Sequence, residues 1–264
     1  MRHRILIILA ITVSLVSTAE ARTWYVAVDS TGDAPTLHAA MDSANAGDTI
    51  LVGPGTYEIE TCLDVPAGVS VISENGPHET RVVGVGPLPP TCGFNLQAGS
   101  DLQGFSIDRC QFAIFAGPGS EIIGNITSGQ WSLSANVDCI IHNNLFAAGT
   151  VDVRSIGIQF THNIVLGPMI CDPFQNLPTC NNLLDEICYP DLMLANFSLD
   201  PEFCGVPGSG NYFLQSSSPC APGNDPFGGG CGLIGPLPVG CGAVPTEKTT
   251  WGAIKARYGV ESEE

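Results

Sequence analysis

A short repeat centred on asparagine constrains this chain of 264 residues more than any other feature. Asn125, Asn144 and Asn163 are spaced by 19 and 19 residues, and each follows a short apolar segment. Leu102–Phe105 fits the same frame 21 residues earlier, with Gly104 in the asparagine position. A repeat this short, without helical periodicity, is typical of a solenoid, in which each turn of chain adds one strand to each of several parallel sheets.

A second column of residues repeats with the same period. Phe112, Trp131, Val151 and Ile170 follow one another at spacings of 19, 20 and 19 residues. Two columns with one period predict rungs of about 19–21 residues, stacked about 4.8 Å apart along one axis.

Stacked rungs would bring the three asparagines into one file. An amide side chain carries both donors and acceptors, so Asn125, Asn144 and Asn163 are predicted to hydrogen-bond along the axis inside a turn. The alternative is that they occupy three unrelated loops. Asn125 and Asn196 also begin N-glycosylation sequons, but an inward ladder would make Asn125 a poor acceptor.

The N-terminal part has a helical pattern. Leu37, Ala40, Met41 and Ala44 recur at i, i+3, i+4 and i+7, which predicts a short amphipathic helix over residues 36–46. Because the open end of a solenoid exposes core and strand edges, we expect this helix to act as a cap.

Several segments resemble one known family. The runs Pro35–Asp42 and Gly47–Tyr57 are similar to the opening of right-handed parallel β-helix proteins of the pectin-lyase-like superfamily, of the secreted bacterial type. Segments similar to those that close the last rungs of such proteins are Asp200–Phe203, Asn211–Leu214 and Ser218–Cys220. The resemblance implies an all-β, single-stranded right-handed parallel β-helix with a short N-terminal capping helix. It implies no single activity, since this fold carries lyases, hydrolases, esterases, adhesins and inert scaffolds.

The first residues have the pattern of an export signal. Arg2 and Arg4 precede the apolar run Ile5–Val16, and Ala19 and Ala21 form an A-x-A site that predicts cleavage after Ala21. A membrane anchor is the alternative, but about 12 apolar residues fall short of the ~20 that span a bilayer. We expect a secreted or extracellular protein, with the cell surface and the periplasm left open, and no transmembrane span after cleavage.

These observations divide the chain into five segments. The predicted segments are a signal peptide at 1–21, an N-terminal strand and capping helix at 22–47, β-helix rungs at 48–200, a closure rich in Cys, Gly and Pro at 201–243, and a tail at 244–264. Trp251, Ile254 and Tyr258 predict an amphipathic helix in that tail. It is either a docking element or an end that packs on the last rung.

The eleven cysteines favour disulfides. Seven of them lie between Cys171 and Cys241, in a loop-rich segment where cross-links would limit the entropy of the unfolded chain, and export permits their oxidation. Zinc is the competing interpretation, but no Cys-x-x-Cys pair is present. An odd number leaves at least one free thiol, and the connectivity cannot be deduced from sequence.

The charge balance limits the partners. The chain has 9 Lys and Arg against 26 Asp and Glu, a net charge of −17. This excludes nucleic acid and anionic membranes, whose phosphates require clustered cations, and it would repel a polyuronate. Arg81, Arg109 and Arg154 are the only cations between Trp24 and Pro245, and they fall at different positions of the repeat.

Three charged residues are weak catalytic candidates. Asp152 and Arg154 lie two apart and should share the outer face of one strand, where an exposed ion pair is the ordinary explanation. Asp108 is an acid of the central rungs that aligns with Gly129 and Ala148 in the asparagine frame. Glycoside hydrolysis needs two carboxyl groups within several ångströms of each other, and the frame brings no such pair together.

Binding candidates are equally few. His142 and His162 are 20 residues apart, but the frame favours turn or surface histidines over a stacked pair. Trp131 would suit the apolar face of a sugar if it were exposed, although its column partners predict a core position. No cofactor and no metal are predicted. Outward acidic residues leave calcium open, although no calcium-loop motif indicates it.

Two functions follow as expectations. The first is a non-catalytic extracellular binding or scaffold module that contacts polysaccharide or cell-surface glycan along an outer sheet. The alternative is a polysaccharide lyase or glycoside hydrolase of the pectin-lyase-like superfamily. An outer cleft lined by two carboxylates, or by a carboxylate and an arginine, would favour the enzyme. A monomer is favoured.

Overall fold

The computed structural model describes residues 20–86, 89–172, 178–185, 195–205, 210–228 and 230–241. Within these residues the chain is mostly β, with one helix. The elements up to the middle of the chain are β1 Thr23–Val26, α1 Leu37–Ser43, β2 Thr49–Val52, β3 Gly55–Ile59, β4 Leu63–Val65, β5 Ser70–Ser73, β6 Thr80–Gly84, β7 Cys92–Leu96, β8 Asp101–Gln103, β9 Ser106–Asp108 and β10 Phe112–Ala116. The remaining strands are β11 Glu121–Ile123, β12 Ile126–Ser128, β13 Trp131–Ala135, β14 Ile140–His142, β15 Leu145–Phe146, β16 Thr150–Val153, β17 Gln159–Thr161, β18 Ile164–Cys171 and β19 Asn182–Asp185. The predicted tail helix and nearly all of the predicted signal peptide lie outside the described residues.

The strands form three parallel arrays. Sheet A is β1-β2-β5-β8-β11-β14-β17. Sheet B is β3-β6-β9-β12-β15-β18, with β19 added beside β18, and sheet C is β4-β7-β10-β13-β16. Sheets B and C are joined because the long strand β18 pairs with β15 at one end and with β16 at the other.

The chain therefore visits sheets A, B and C in turn and returns to sheet A beside its previous strand, an arrangement that fits a parallel β-helix. Ladder partners in sheet A lie 19 residues apart in the later rungs, as in the pairing of Glu121 with Ile140. The step from β5 to β8 departs furthest from the predicted length, because Ser70 pairs with Asp101, 31 residues away. The added length lies mainly in the loops at 74–79 and 85–91, where the sequence has no repeat to align.

The asparagine ladder is present and longer than predicted. The Asn125 backbone nitrogen donates to Oδ1 of Asn144, whose own nitrogen donates to Asn163 in the same way, both at 2.9 Å. The file continues through Asn181 and Asn196, at 2.8 and 2.9 Å. All five side chains are buried, so both sequons begin at residues that water and enzymes cannot reach.

The residue before each ladder position forms a left-handed turn. This column consists of Gly104, Gly124, Asn143, His162, Cys180 and Ala195, with φ between 54° and 79°. The placement of Gly104 at an asparagine position was therefore wrong by one residue. Ile122 pairs with Leu102, so Phe105 occupies the position of Asn125, and its backbone nitrogen donates to that side chain at 3.0 Å.

The second predicted column holds only for its first pair. Phe112 pairs with Trp131, but Trp131 then pairs with Thr150, and a bulge shifts the register before Val151. Ile170 consequently pairs with Asp152. A count of spacings does not reveal the extra residue in β13, because spacings of 19 and 20 residues both fit a single period.

The interior of the coil is a continuous apolar core. Its largest fully buried side chains include Phe94, Phe105, Phe146 and Phe160. Helix α1 adds Leu37, Ala40 and Met41 to this core. The helix is shorter than predicted, because it spans Leu37–Ser43 and the chain is already extended at Ala44; Thr36 caps it by accepting a bond from the Ala39 nitrogen.

The predicted C-terminal closure packs against several earlier rungs and not only against the last one. We call residues 195–205, 210–228 and 230–241 the C-terminal strap. The strap packs on the face of sheet B that points away from the main core, where it forms a second apolar cluster with Ile126, Leu145 and Ile164. It reaches back as far as the 74–79 loop, where the rings of His78 and Phe213 meet at 5.5 Å.

Disulfides hold the strap and one corner. The described bonds are Cys62–Cys92, Cys180–Cys231 and Cys204–Cys241, which confirms the prediction of disulfides and fits an oxidising compartment. The prediction of at least one free thiol is also confirmed, because three buried cysteines of the described residues are free: Cys110, Cys139 and Cys220. No helix in the described segments has the length and apolar character needed to cross a membrane.

Candidate functional site

A long groove runs along the corner between sheets B and C. Its volume is about 1020 Å³ and it is open to solvent on one side. The corner segments of four successive rungs form its floor and walls. The lining residues are Glu60, Thr61, Cys62, Gly84, Gly86, Pro89, Pro90, Thr91, Arg109, Cys110, Gln111, Ser128 and Gln130.

Residues 86 and 89–91, on the long loop between β6 and β7, form one wall of the groove. The Cys62–Cys92 disulfide fixes the end of this loop to the preceding rung. Gly84 lets the loop lie close to the next rung, since a Cβ there would lie 2.3 Å from the Arg109 carbonyl oxygen and 2.6 Å from Pro90. The wall is therefore a consequence of the longest rung and of a glycine at its turning point.

The groove offers hydrogen-bonding groups of both kinds. The side chains of Glu60, Thr91, Arg109, Gln111 and Gln130 are exposed along it. Amides and hydroxyls can donate and accept, the carboxylate accepts, and the guanidinium donates. Such a lining suits a polar, uncharged ligand with many hydroxyl groups better than a highly charged one.

An aromatic stack borders the groove on sheet C. Phe112 stacks on Phe115 with ring centres 4.5 Å apart, and on Trp131 of the next rung at 5.5 Å. All three rings are partly exposed, so the prediction of a core position for Trp131 was wrong. The rung spacing brings Phe112 and Trp131 together, and Gln111 and Gln130 precede them in the groove wall.

Asp108 joins three elements at the edge of the groove. Its Oδ2 lies 2.5 Å from Nε of Arg81, and its Oδ1 accepts a hydrogen bond from the hydroxyl of Ser128, which lines the groove. Tyr212 of the strap lies close to Asp108. Burial, and secondarily the charge of Asp108, raise the pKa of the Tyr212 phenol. Asp108 pairs in register with Val83 and Ser128; its predicted alignment with Gly129 and Ala148 was wrong because this rung step is 20 residues, not 21.

Asp152 and Arg154 form the exposed ion pair that the sequence predicts. Two hydrogen bonds join them, Nε to Oδ1 at 2.9 Å and Nη2 to Oδ2 at 2.7 Å. The hydrogen bond, and then the charge, of Asp152 raise the pKa of Arg154. Neither residue lines the groove, so the pair stays a weak catalytic candidate.

His142 and His162 lie near each other without facing a common ligand. His142 ends β14, with Nε2 at 3.7 Å from Glu121 and Nδ1 at 3.0 Å from Oδ1 of Asn143. His162 occupies the left-handed turn position one rung later. Burial, and then the charge of His142, lower the pKa of His162. The part of the chain that the structure describes holds no group of three His, Cys, Asp or Glu side chains arranged for a metal ion.

Sequence reasoning missed most of the groove. Glu60, Gln111 and Gln130 lie on it but carry no motif, and the wall depends on a loop without a repeat. One signal was available: Gln111–Phe112 and Gln130–Trp131 repeat the same dipeptide pattern 19 residues apart. Of the predicted candidates, the structure places Trp131 and Asp108 beside the groove and leaves Asp152, Arg154 and the two histidines away from its lining.

Comparison with known proteins adds no relative. The chain matches no protein-family model, no curated protein and no solved structure.

Proposed function

We propose that this protein is an exported, non-catalytic glycan-binding module built on a right-handed parallel β-helix of the pectin-lyase-like type. The glycan would lie in the groove between sheets B and C, parallel to the axis of the coil. The predicted export signal and the disulfides support an extracellular location.

The observation that carries this proposal is the aromatic stack beside a polar groove. Partly exposed rings present flat apolar faces, and the apolar face of a pyranose packs on such rings. Gln111 and Gln130, next to Phe112 and Trp131 in sequence, can then bond the hydroxyl groups at the edge of the same sugar. A net charge of −17 favours a neutral glycan over a polyuronate.

Binding to insoluble and soluble neutral polysaccharides tests the proposal. We expect Trp131→Ala and Phe112→Ala each to weaken binding about tenfold or more, since an aromatic contact contributes about 0.5–1.5 kcal/mol beyond the area it buries. Phe227→Ala is the matched control, because Phe227 is exposed but lies in the strap and outside the stack. Equal loss in the control, or no binding to any glycan by the parent chain, would overturn the proposal.

A second function is supported by one specific observation. Glu60 and Arg109 line the same groove, which is the combination expected of a polysaccharide lyase or glycoside hydrolase. The test is a screen of soluble glycans for reducing ends or unsaturated uronate, with and without calcium. If the parent chain forms product and the folded Glu60→Gln variant does not, the protein is an enzyme and the proposal of a non-catalytic binding module is wrong.

A further inference from the structure

One carboxylate binds the chain directly before β1. The backbone nitrogen of Arg22 donates to Oδ1 of Asp48 at 2.8 Å. The other oxygen, Oδ2, accepts from the Trp24 indole at 3.1 Å and from the Asn45 backbone nitrogen at 3.0 Å. Asp48 is 6% exposed, so this carboxylate is built into the body of the protein.

The Arg22 side chain is also positioned. Its guanidinium carbon lies 3.6 Å from the centre of the Trp24 ring, a cation–π contact. The hydrogen bonds from Asn45, Arg22 and Trp24, in that order, lower the pKa of Asp48, so the group is a carboxylate at neutral pH. Two contacts, one through the backbone nitrogen and one through the side chain, thus hold residue 22 directly before β1.

Glu20 and Ala21, the described residues before Arg22, are exposed. Arg22 and Thr23 are exposed as well, and β1 begins at Thr23. Ala19 and Ala21 carry the small side chains that a signal peptidase requires at the third and first positions before its cleavage site. Within the part of the chain that the structure describes, the contacts given above therefore begin at Arg22, directly after the last residue of the motif.

We propose that the Ala21–Arg22 peptide bond is a maturation site and that Asp48 is the binding site for the new N-terminal ammonium group. Hydrolysis by an export-associated peptidase breaks the C–N bond with one water. The carbonyl carbon of Ala21 takes the oxygen and leaves as a carboxylate, and the nitrogen of Arg22 takes the protons and becomes an ammonium. The hydrogen bond from an uncharged N–H to the Asp48 carboxylate thereby becomes an ion pair, in which both donor and acceptor are charged.

The cleavage position is tested by exporting the full chain from a secreting host. Intact mass and N-terminal sequencing should give Arg22-Thr23-Trp24 as the first residues. Ala21→Leu should block or displace cleavage, whereas Glu20→Gln, at the tolerant middle position, should leave it unchanged. A different N-terminus in the parent chain, or unchanged cleavage in Ala21→Leu, would overturn the assignment.

The ammonium site is tested separately on purified chains that begin at Arg22 or at Ala21, because one extra residue moves the charge about 3.3–3.6 Å from Asp48. We expect the chain beginning at Ala21 to melt about 2–4 °C lower, and we expect Asp48→Asn to abolish the difference. The exposed Asp42→Asn is the matched control and should preserve it. Equal melting temperatures of the two parent chains would refute the site.

A further measurement covers the case in which Asp48→Asn does not fold. Titration of the Arg22 α-amino group in the parent chain should give a pKa above the ordinary 7.7–8.0. An ordinary value would also refute the site.

Discussion

The side-chain oxygen of Asn144 accepts two hydrogen bonds from Asn125, from the backbone nitrogen at 2.9 Å and from Nδ2 at 3.1 Å. Nδ2 of Asn144 in turn donates to the carbonyl oxygens of Ile122 and His142, at 2.9 and 3.0 Å. One amide thus satisfies buried backbone groups of its own rung and of the rung before it. Few other side chains carry a donor and an acceptor at this reach.

Replacing Asn144 should therefore be costly. Asn144→Ala leaves several buried donors and acceptors without partners, and each such group costs about 1–3 kcal/mol. We expect the free energy of unfolding in urea to fall by about 3 kcal/mol or more. Asn136→Ala, at an exposed asparagine, should change it by less than about 0.5 kcal/mol; similar values for the two variants would contradict the ladder as a stabilising element.

Removal of the Thr127 hydroxyl should increase the stability of the protein. It is fully buried, and its Oγ1 is the one buried side-chain polar atom without a hydrogen-bond partner among the described residues. Thr127→Val keeps the shape and removes the desolvated group, so unfolding in urea should require about 1 kcal/mol more. The exposed Thr56→Val should leave the stability nearly unchanged. A loss of stability in Thr127→Val would show that the hydroxyl has a partner.

The Cys180–Cys231 bond should hold the strap on sheet B. Cys231 lies in the strap and Cys180 in the left-handed column, so Cys180→Ser with Cys231→Ser frees a long loop and should cost about 2–4 kcal/mol. We expect faster amide hydrogen exchange around Leu145 and Ile164, which the strap covers, and unchanged exchange in sheet A.

The Cys62–Cys92 pair provides the control for this experiment, because it lies at the groove corner and joins two residues outside the strap. Cys62→Ser with Cys92→Ser should leave exchange at Leu145 and Ile164 unchanged. Faster exchange there in the control pair alone would mean that the strap is held by other contacts.

Stability should depend on the protonation of His162. Its folded pKa is lowered by burial and by His142, so the unfolded chain binds more protons below the ordinary value of 6.5. The contribution of neutral His162 to the free energy of unfolding is fully present above pH 6.5. It is lost as the pH falls through that value towards the folded pKa. His162→Asn should reduce the loss between pH 7.5 and 5.5 in urea titrations, and Asn fits the turn because Asn143 occupies the same position one rung earlier, with φ of 55°.

His78 also has a pKa lowered by burial, but it is present in both proteins, so it cancels in the comparison of wild type with His162→Asn. An unchanged pH dependence in that variant would assign the effect to His78 or to another group.

The fold was largely predictable because its stabilising contacts repeat in the sequence. The ladder of Asn125, Asn144 and Asn163 fixed the period, since each rung needs the same amide at the same place. The groove was not predictable to the same extent. Its wall comes from the longest rung, whose connection between sheets B and C at 85–91 is longer than those at 60–62 and 109–111 in the neighbouring rungs. Its aromatic border required knowing that Trp131 faces out of the coil. A spacing places a residue along a strand, but a bulge such as the one after Trp131 decides which neighbours it meets.

The two-residue turn that contains each ladder residue limits where this chain can change length. From β8 onward the connection from sheet A to sheet B is always a left-handed residue and a ladder residue, so an insertion there would interrupt the amide file. The connections from sheet B to sheet C differ in length, at 85–91, 109–111, 129–130 and 147–149. New peptide segments should be accepted at this second corner, where surface loops tolerate grafting, and a change of ligand by evolution or by engineering can take place there without rebuilding the scaffold.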